Sequence, residues 1–230
     1  MKELLRNNAV FLTLSLMLFV ALGLALLYIP KGELHLLLCD RHTPARDIFY
    51  RYYTQVAEWF PYVICILLLL FSRIGDGVLA TAALSISGIA TQGLKYLVDT
   101  DRPYKWFADN MQDITLPLVE GVHMSKYYSF PSGHTTSFFA LAFVLCILAT
   151  SSTSSSSSTR LTRSTSSLLQ LLLFIAAALG AYSRIYLSQH FPEDIAGGIV
   201  VGILVTVLCY AILHHFEDKK WYNYRIFAKK

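Results

Sequence analysis

Six apolar runs are spaced along the chain, and together they demand a bilayer. Residues 10–28, 77–97, 168–187 and 195–216 each approach the ~20 residues that a helix needs to cross the hydrocarbon core. Runs 58–71 and 134–150 are shorter but equally apolar. The expected fold is therefore all-α: a polytopic membrane protein of six transmembrane helices, forming one domain over residues 1–230. Composition agrees, with 55% hydrophobic residues, 15% charged and a mean hydropathy of +0.50.

The same numbers exclude several classes. A net charge of +4 is spread along the chain with no basic stripe interleaved with aromatics, so nucleic acid is not a partner. Three of the four cysteines (Cys65, Cys146 and Cys209) lie inside apolar runs, and Cys39 lies in a polar connection. They show neither metal-ligand spacing nor a disulfide framework, so no metal and no cofactor is expected.

No small-residue cleavage site follows the first run, which reads as a retained helix and not a removed signal. In the mixed connection 29–51, Ile48, Phe49, Tyr52 and Val56 recur at helical spacing, suggesting an interfacial helix leading into span two. Trp59 and Tyr62 are expected at headgroup level. Residues 72–76 read as a tight turn. The stretch 100–130 is the longest polar connection and is rich in aromatics, while 151–167 is nearly all Ser and Thr and reads as a flexible loop. Ala176, Ala177, Gly180 and Ala181 of span five are expected to meet Gly197, Gly198 and Gly202 of span six.

Six spans put both termini on one side. Lys2, Arg6, Arg73, Arg160, Arg163 and the basic tail share that side with few acids, which predicts cytoplasmic termini.

Three polar clusters break the apolar pattern. Charged side chains near a bilayer centre cost roughly 2.5–3.5 kcal/mol on insertion scales, so they gather at a membrane face for a reason. Between spans five and six lie Ser183, Arg184, His190 and Asp194. His190 with Asp194 suits a nucleophile or base with an orienting carboxylate, and Arg184 offers a planar fork to a phosphate. A charged loop capping a helix would look the same, with Pro192, Glu193 and Asp194 in the first turn. Lys95 closes span three and Arg102-Pro103 follows seven residues later; alone they are a snorkelling lysine and a turn. Pro131-Ser132-Gly133-His134 opens span four, where Ser132 suits a cap.

Topology joins the clusters. The ends of spans three and five and the starts of spans four and six must emerge on one face. Ser132, Gly133 and His134 then sit at a helix N-terminus, a natural anion site. Lys95, Arg102 and Arg184 can surround the same anion, with His134 and His190 flanking it as in-line transfer through a covalent intermediate requires.

These three clusters, in this order and spacing, resemble the three-part signature of the type-2 phosphatidic acid phosphatase family, also called the lipid phosphate phosphatase and haloperoxidase superfamily. The resemblance implies a metal-independent six-helix membrane phosphatase of bacterial type, working at the outer face of the plasma membrane. It implies His190 as the nucleophile, Asp194 as its orienting group and His134 as acid and base. Lys95, Arg102, Ser132, Gly133 and Arg184 would hold the phosphoryl oxygens. The implied partners are the bilayer and a phosphorylated lipid: phosphatidylglycerol phosphate, undecaprenyl pyrophosphate, phosphatidic acid or a lipid A phosphate. A lipid-to-lipid phosphotransferase would use the same intermediate. A non-catalytic lipid-binding or transport protein is the third reading, against which the spans hold almost no carboxylates. Outside the signature, Asp99 and Asp101 are expected to balance charge. Tyr104, Trp106 and Phe107 are expected in an aromatic belt, His123 in a loop, and His214 and His215 at the interface.

Overall fold

The computed structural model describes residues 1–151 and 163–226, and every regular element among them is helical. In chain order these are α1 (Lys2–Asn7), α2 (Ala9–Tyr28), α3 (Lys31–Cys39), α4 (Pro44–Tyr53) and α5 (Trp59–Ser72). They continue with α6 (Ile74–Val98), α7 (Pro103–Asn110), α8 (Gly133–Ser151), α9 (Arg163–Tyr186) and α10 (Pro192–Leu213). Short 3₁₀ turns follow α4 at Thr54–Ala57 and α10 at His214–Phe216.

Five helices are long and apolar enough to cross a membrane, or six if the bent pair Pro44–Ala57 and Trp59–Ser72 counts as one span. Span two thus differs from the expected single run. Its 14-residue helix α5 is too short alone at 1.5 Å per residue, and it is joined to α4 through a 50° bend. A helix does precede span two as α4, with Ile48, Phe49 and Tyr52 exposed on it and Val56 exposed on the 3₁₀ turn that follows; Thr43 caps α4 by accepting from the Arg46 N–H.

The other connections also depart from expectation. Residues 29–51 contain α3, and residues 100–130 contain α7. The expected turn at 72–76 shrinks to Arg73, because α6 starts at Ile74. Of the expected loop 151–167, residues 163–167 already belong to α9, and residues 152–162 lie outside the described part. Tyr62 is buried in the core, whereas Trp59 is exposed.

Helix α8 is the centre of the bundle, packed against α6, α9 and α10; α5 packs on α6, and α2 lies across α9 and α10. The core is aromatic where α2, α8 and α9 meet. Phe11 stacks on Phe143 at 5.5 Å and meets the edge of Phe174 at 6.4 Å. Gln170 of α9 closes the start of α2: its side-chain oxygen accepts from the Phe11 N–H, and its amide donates to the Asn7 carbonyl.

Because α8 lies between α9 and α10, the small residues of those two helices do not meet as expected. A Cβ at Gly180 would strike the Phe138 ring of α8, and one at Gly202 would sit 2.6 Å from the Thr136 carbonyl. The small residues admit α8 to the bundle. Phe107 is buried, and Trp106 packs edge-on to Phe191 at 5.5 Å, so both turn inward, whereas Tyr104 is exposed.

Gly202→Val forces the backbones of α8 and α10 apart and should destabilise the protein by about 1–3 kcal/mol. Gly88, where a Cβ meets nothing within 4 Å, should accept alanine without loss. Thermal unfolding in detergent distinguishes the two variants.

Candidate phosphate site

The first polar cluster is delivered by the end of α6. Asp99, in the left-handed region at φ 40°, ends the helix, and its N–H donates to the Lys95 carbonyl. Lys95 is buried, and its ammonium donates to the Tyr128 and Ser129 carbonyls. Arg102 precedes α7, whose first residue is Pro103. Its guanidinium donates to the Tyr127 carbonyl at 3.0 Å and to the Gln189 side chain at 3.3 Å. Asp101 pairs with Lys105 at 2.7 Å, away from Arg102.

At the start of α8 the Ser132 hydroxyl accepts from the Thr135 N–H, the cap expected of it. The same oxygen accepts from the Thr135 hydroxyl at 3.0 Å. A Cβ at Gly133 would meet only Thr91, at 3.7 Å. No protein atom therefore demands glycine here.

The third cluster turns between α9 and α10. Ser188, at φ 51°, takes the chain out of α9, and the Arg184 carbonyl accepts from the N–H groups of Gln189 and His190. Pro192 opens α10, with Glu193 and Asp194 in its first turn as expected. The Asp194 carboxylate reaches back to the Phe191 N–H at 2.8 Å, accepts from the Ser129 hydroxyl at 2.5 Å, and lies 3.2 Å from Nδ1 of His190. With Nδ1–H turned to the carboxylate, Nε2 of His190 keeps its lone pair.

Six of the eight candidate residues thus share one hydrogen-bonded network, and Gly133 follows one of them in the chain. Asp194 joins His190 directly, and its backbone carbonyl accepts from the Ser132 N–H at 3.0 Å, leading on to Gly133. Ser129 connects it to Lys95, Gln189 brings in Arg102, and the Arg184 carbonyl holds the His190 N–H. His134 stands outside this network, one residue beyond Gly133. It lines a cavity of about 250 Å³ together with Arg184, His123, Gln189, Arg51, Thr54, Gln55 and Glu58. A second cavity, about 600 Å³, opens beside Lys95, Arg102 and Lys126. His123 is a loop residue as expected, but it borders both cavities.

Burial, and then the positive charges of Arg102, Arg184 and Lys95, hold the His190 imidazole well below the usual histidine range. It is neutral near pH 7, the state a nucleophile needs. Among the described residues no three His, Cys, Asp or Glu side chains cluster to hold a metal ion.

Several contributors gave no motif. Thr54, at the bend between α4 and α5, accepts from Arg184 at 2.6 Å. Helix α3 braces the His190 turn: Lys31 pairs with Glu193 at 3.2 Å and lies 4.7 Å from the Phe191 ring. On the next turn Nε2 of His35 is 3.3 Å from the Ser188 hydroxyl. Burial pushes His35 down to about 4, against the pull of Asp194. Ser129 and Gln189 could have been found by their positions, three residues before Ser132 and next to His190. Thr54, Lys31 and His35 are at least 130 residues from their partners and carry no local signal.

The site and fold together define a class: helical proteins with membrane-length helices whose ends converge beside a buried His–Asp pair. The family model described as the PAP2 superfamily matches residues 76–218, more than half of the 230, and the chain belongs to that family. Lipid phosphate phosphatase 2 of Arabidopsis thaliana is 28% identical over 136 residues, covering 54% of this chain and 46% of that protein. The chain spans about half the length of that curated relative.

Two solved structures share the fold. LpxE of Aquifex aeolicus has a TM-score of 0.62 at 23% identity, over 80% of this chain and 96% of that one. A transmembrane PAP2-type phosphatidylglycerolphosphate phosphatase of Bacillus subtilis has a TM-score of 0.63 at 20% identity, over 93% and 99%.

Ser129→Ala removes a hydroxyl donor from the buried Asp194 carboxylate. It should lower stability by about 1.5–3 kcal/mol, measured by thermal unfolding in detergent.

Proposed function

We propose that the protein is an integral membrane phosphatase that removes phosphate from a lipid through a phosphohistidine. The observation that carries this reading is the buried His190–Asp194 pair with three cations within its electrostatic reach. Membership of the PAP2 superfamily supports it.

In the proposed reaction Nε2 of His190 attacks phosphorus as the ester P–O bond breaks. The leaving oxygen takes a proton from His134. The transferred phosphoryl group sits on an imidazole whose positive charge Asp194 offsets. Neutral His134 then accepts a proton from water as the water oxygen attacks phosphorus. The P–N bond breaks, releasing inorganic phosphate and neutral His190. Lys95, Arg102, Arg184, the Ser132 hydroxyl and the N–H end of α8 at Gly133 stabilise the equatorial oxygens throughout. Nucleophile, acid and charge stabilisation all come from side chains and backbone, so the scheme needs no metal.

The substrate enters from the bilayer, with its tails among the helices and its phosphate in the polar pocket. We infer a bacterial plasma membrane with cytoplasmic termini, which puts the site at the outer face. The cations grouped near the termini and the basic tail support that orientation.

His190→Ala should abolish phosphate release from lipid phosphates while the protein remains folded, and chelator should leave the wild-type rate unchanged. Phosphate assays in detergent check both, and normal turnover by the variant would remove the nucleophile. Because the His190 pKa is lowered, protonation removes the nucleophile only well below pH 6.5. Single-turnover formation of the phosphoenzyme should therefore show no loss from pH 8 to pH 6.5 attributable to this histidine.

A further inference from the structure

Arg184 is tied down through one nitrogen. Its Nη1 donates to the Thr54 hydroxyl at 2.6 Å, the one hydrogen bond its side chain makes to a described residue. Arg184 is 7% exposed, and its buried Nε has no hydrogen-bond partner. A buried charged donor without an acceptor is costly, so something outside the described contacts must repay it. Nε and Nη2 form the side edge of a guanidinium, two parallel donors that match a phosphate bidentately. Thr54 takes the nitrogen outside that edge and leaves the edge itself open.

Arg102 is held the other way. Its Nε donates to the Tyr127 carbonyl and its Nη1 to Gln189, so its side edge is already in use. Between the two arginines, Arg184 is therefore the one with a complete fork to give.

The position of Thr54 does not depend on Arg184. Thr54 ends α4 and opens the 3₁₀ turn Thr54–Ala57, and its N–H donates to the Tyr50 carbonyl. Beside it the Tyr53 hydroxyl donates to the Ala176 carbonyl of α9 at 2.9 Å, and the Tyr53 ring stacks on Phe138 of α8 at 5.8 Å. The bend of span two is thus pinned to α8 and α9 by its neighbours. A β-branched side chain there has few rotamers, which fixes the hydroxyl. Thr54 and Arg184 both line the cavity of about 250 Å³ that holds His134.

Resting on the phosphatase reading, we propose that Thr54 is a positioning residue for the phosphoryl group. It holds Arg184 by Nη1 so that the Nε–Nη2 edge meets two phosphoryl oxygens at once, while Arg102 approaches the same group end-on. Thr54 acts through Arg184 and does not itself touch the substrate. The bend in span two thereby serves the site from a segment that carries no signature residue.

Orthovanadate is the probe, because it binds as a phosphoryl group does and needs no turnover. Dissociation constants are measured by calorimetry on the full-length protein in detergent, with thermal unfolding of each variant alongside. Thr54→Val removes the hydroxyl at nearly constant size and should weaken vanadate binding at least tenfold. Thr54→Ser restores the acceptor and should stay within threefold of wild type. In an Arg184→Lys background, which has no fork, Thr54→Val should add less than threefold. The proposal is overturned if folded Thr54→Val binds vanadate like wild type, or if Thr54→Ser is as weak as Thr54→Val. It is also overturned if Thr54→Val weakens binding equally in both backgrounds, as a merely structural role would. Should a variant not fold, or bind too weakly to measure, the vanadate-bound wild-type crystal structure decides. Nε and Nη2 of Arg184 on vanadate oxygens with Nη1 still on Thr54 supports the proposal; any other arrangement of Arg184 overturns it, as does wild type that binds no vanadate. Phosphate release from lipid phosphates, assayed on the same preparation, judges the phosphatase reading separately.

Discussion

The structure depends on one buried carboxylate. Asp194 is about 1% exposed, and an isolated carboxylate in such a place would be strongly destabilising. Three groups offset that cost: the Phe191 N–H, the Ser129 hydroxyl and the His190 ring. Each belongs to a different constraint. The first fixes the start of α10, the second fixes the loop that holds Lys95, and the third fixes the imidazole. The backbone carbonyl of the same residue accepts from Ser132 and so sets the start of α8. Chain segments far apart in sequence are thus held to one point at the mouth of the helix bundle.

Around that point the bundle works by convergence of helix ends. The end of α6 supplies a cation, the start of α8 supplies free N–H groups, and the turn from α9 to α10 supplies the histidine. Helix α3 and the bend of α4 into α5 add no signature residue, yet each supports one. Lys31 and His35 hold the outer side of the His190 turn, while Thr54 takes one nitrogen of Arg184. Burial, and then the cations, lower the affinity of His190 for a proton and so keep the proposed nucleophile neutral.

Much of this was legible because membrane segments obey strict rules. Length and hydropathy located the spans, and the rarity of charge inside them singled out Lys95, Arg184 and Asp194. Span two was read too simply, since a bend with 3₁₀ character at 54–57 leaves no mark in hydropathy. Helices α3 and α7 were invisible for a related reason: they are short, and their inward faces pack around Phe191 without a run of apolar residues long enough to span. The small residues of α9 and α10 were correctly seen as packing surfaces but assigned the wrong partner, because composition does not reveal that α8 passes between them. Phe107 and Trp106 were placed in the belt, yet their rings pack inward near Phe191.

The central claim is that these separate elements close around one phosphoryl group, and a crystal structure with bound orthovanadate tests it most directly. The account predicts vanadium bonded to Nε2 of His190, with its equatorial oxygens within hydrogen-bonding distance of Lys95, Arg102, Arg184 and the Gly133 N–H. Vanadate bound elsewhere, or coordinated without His190, would contradict it.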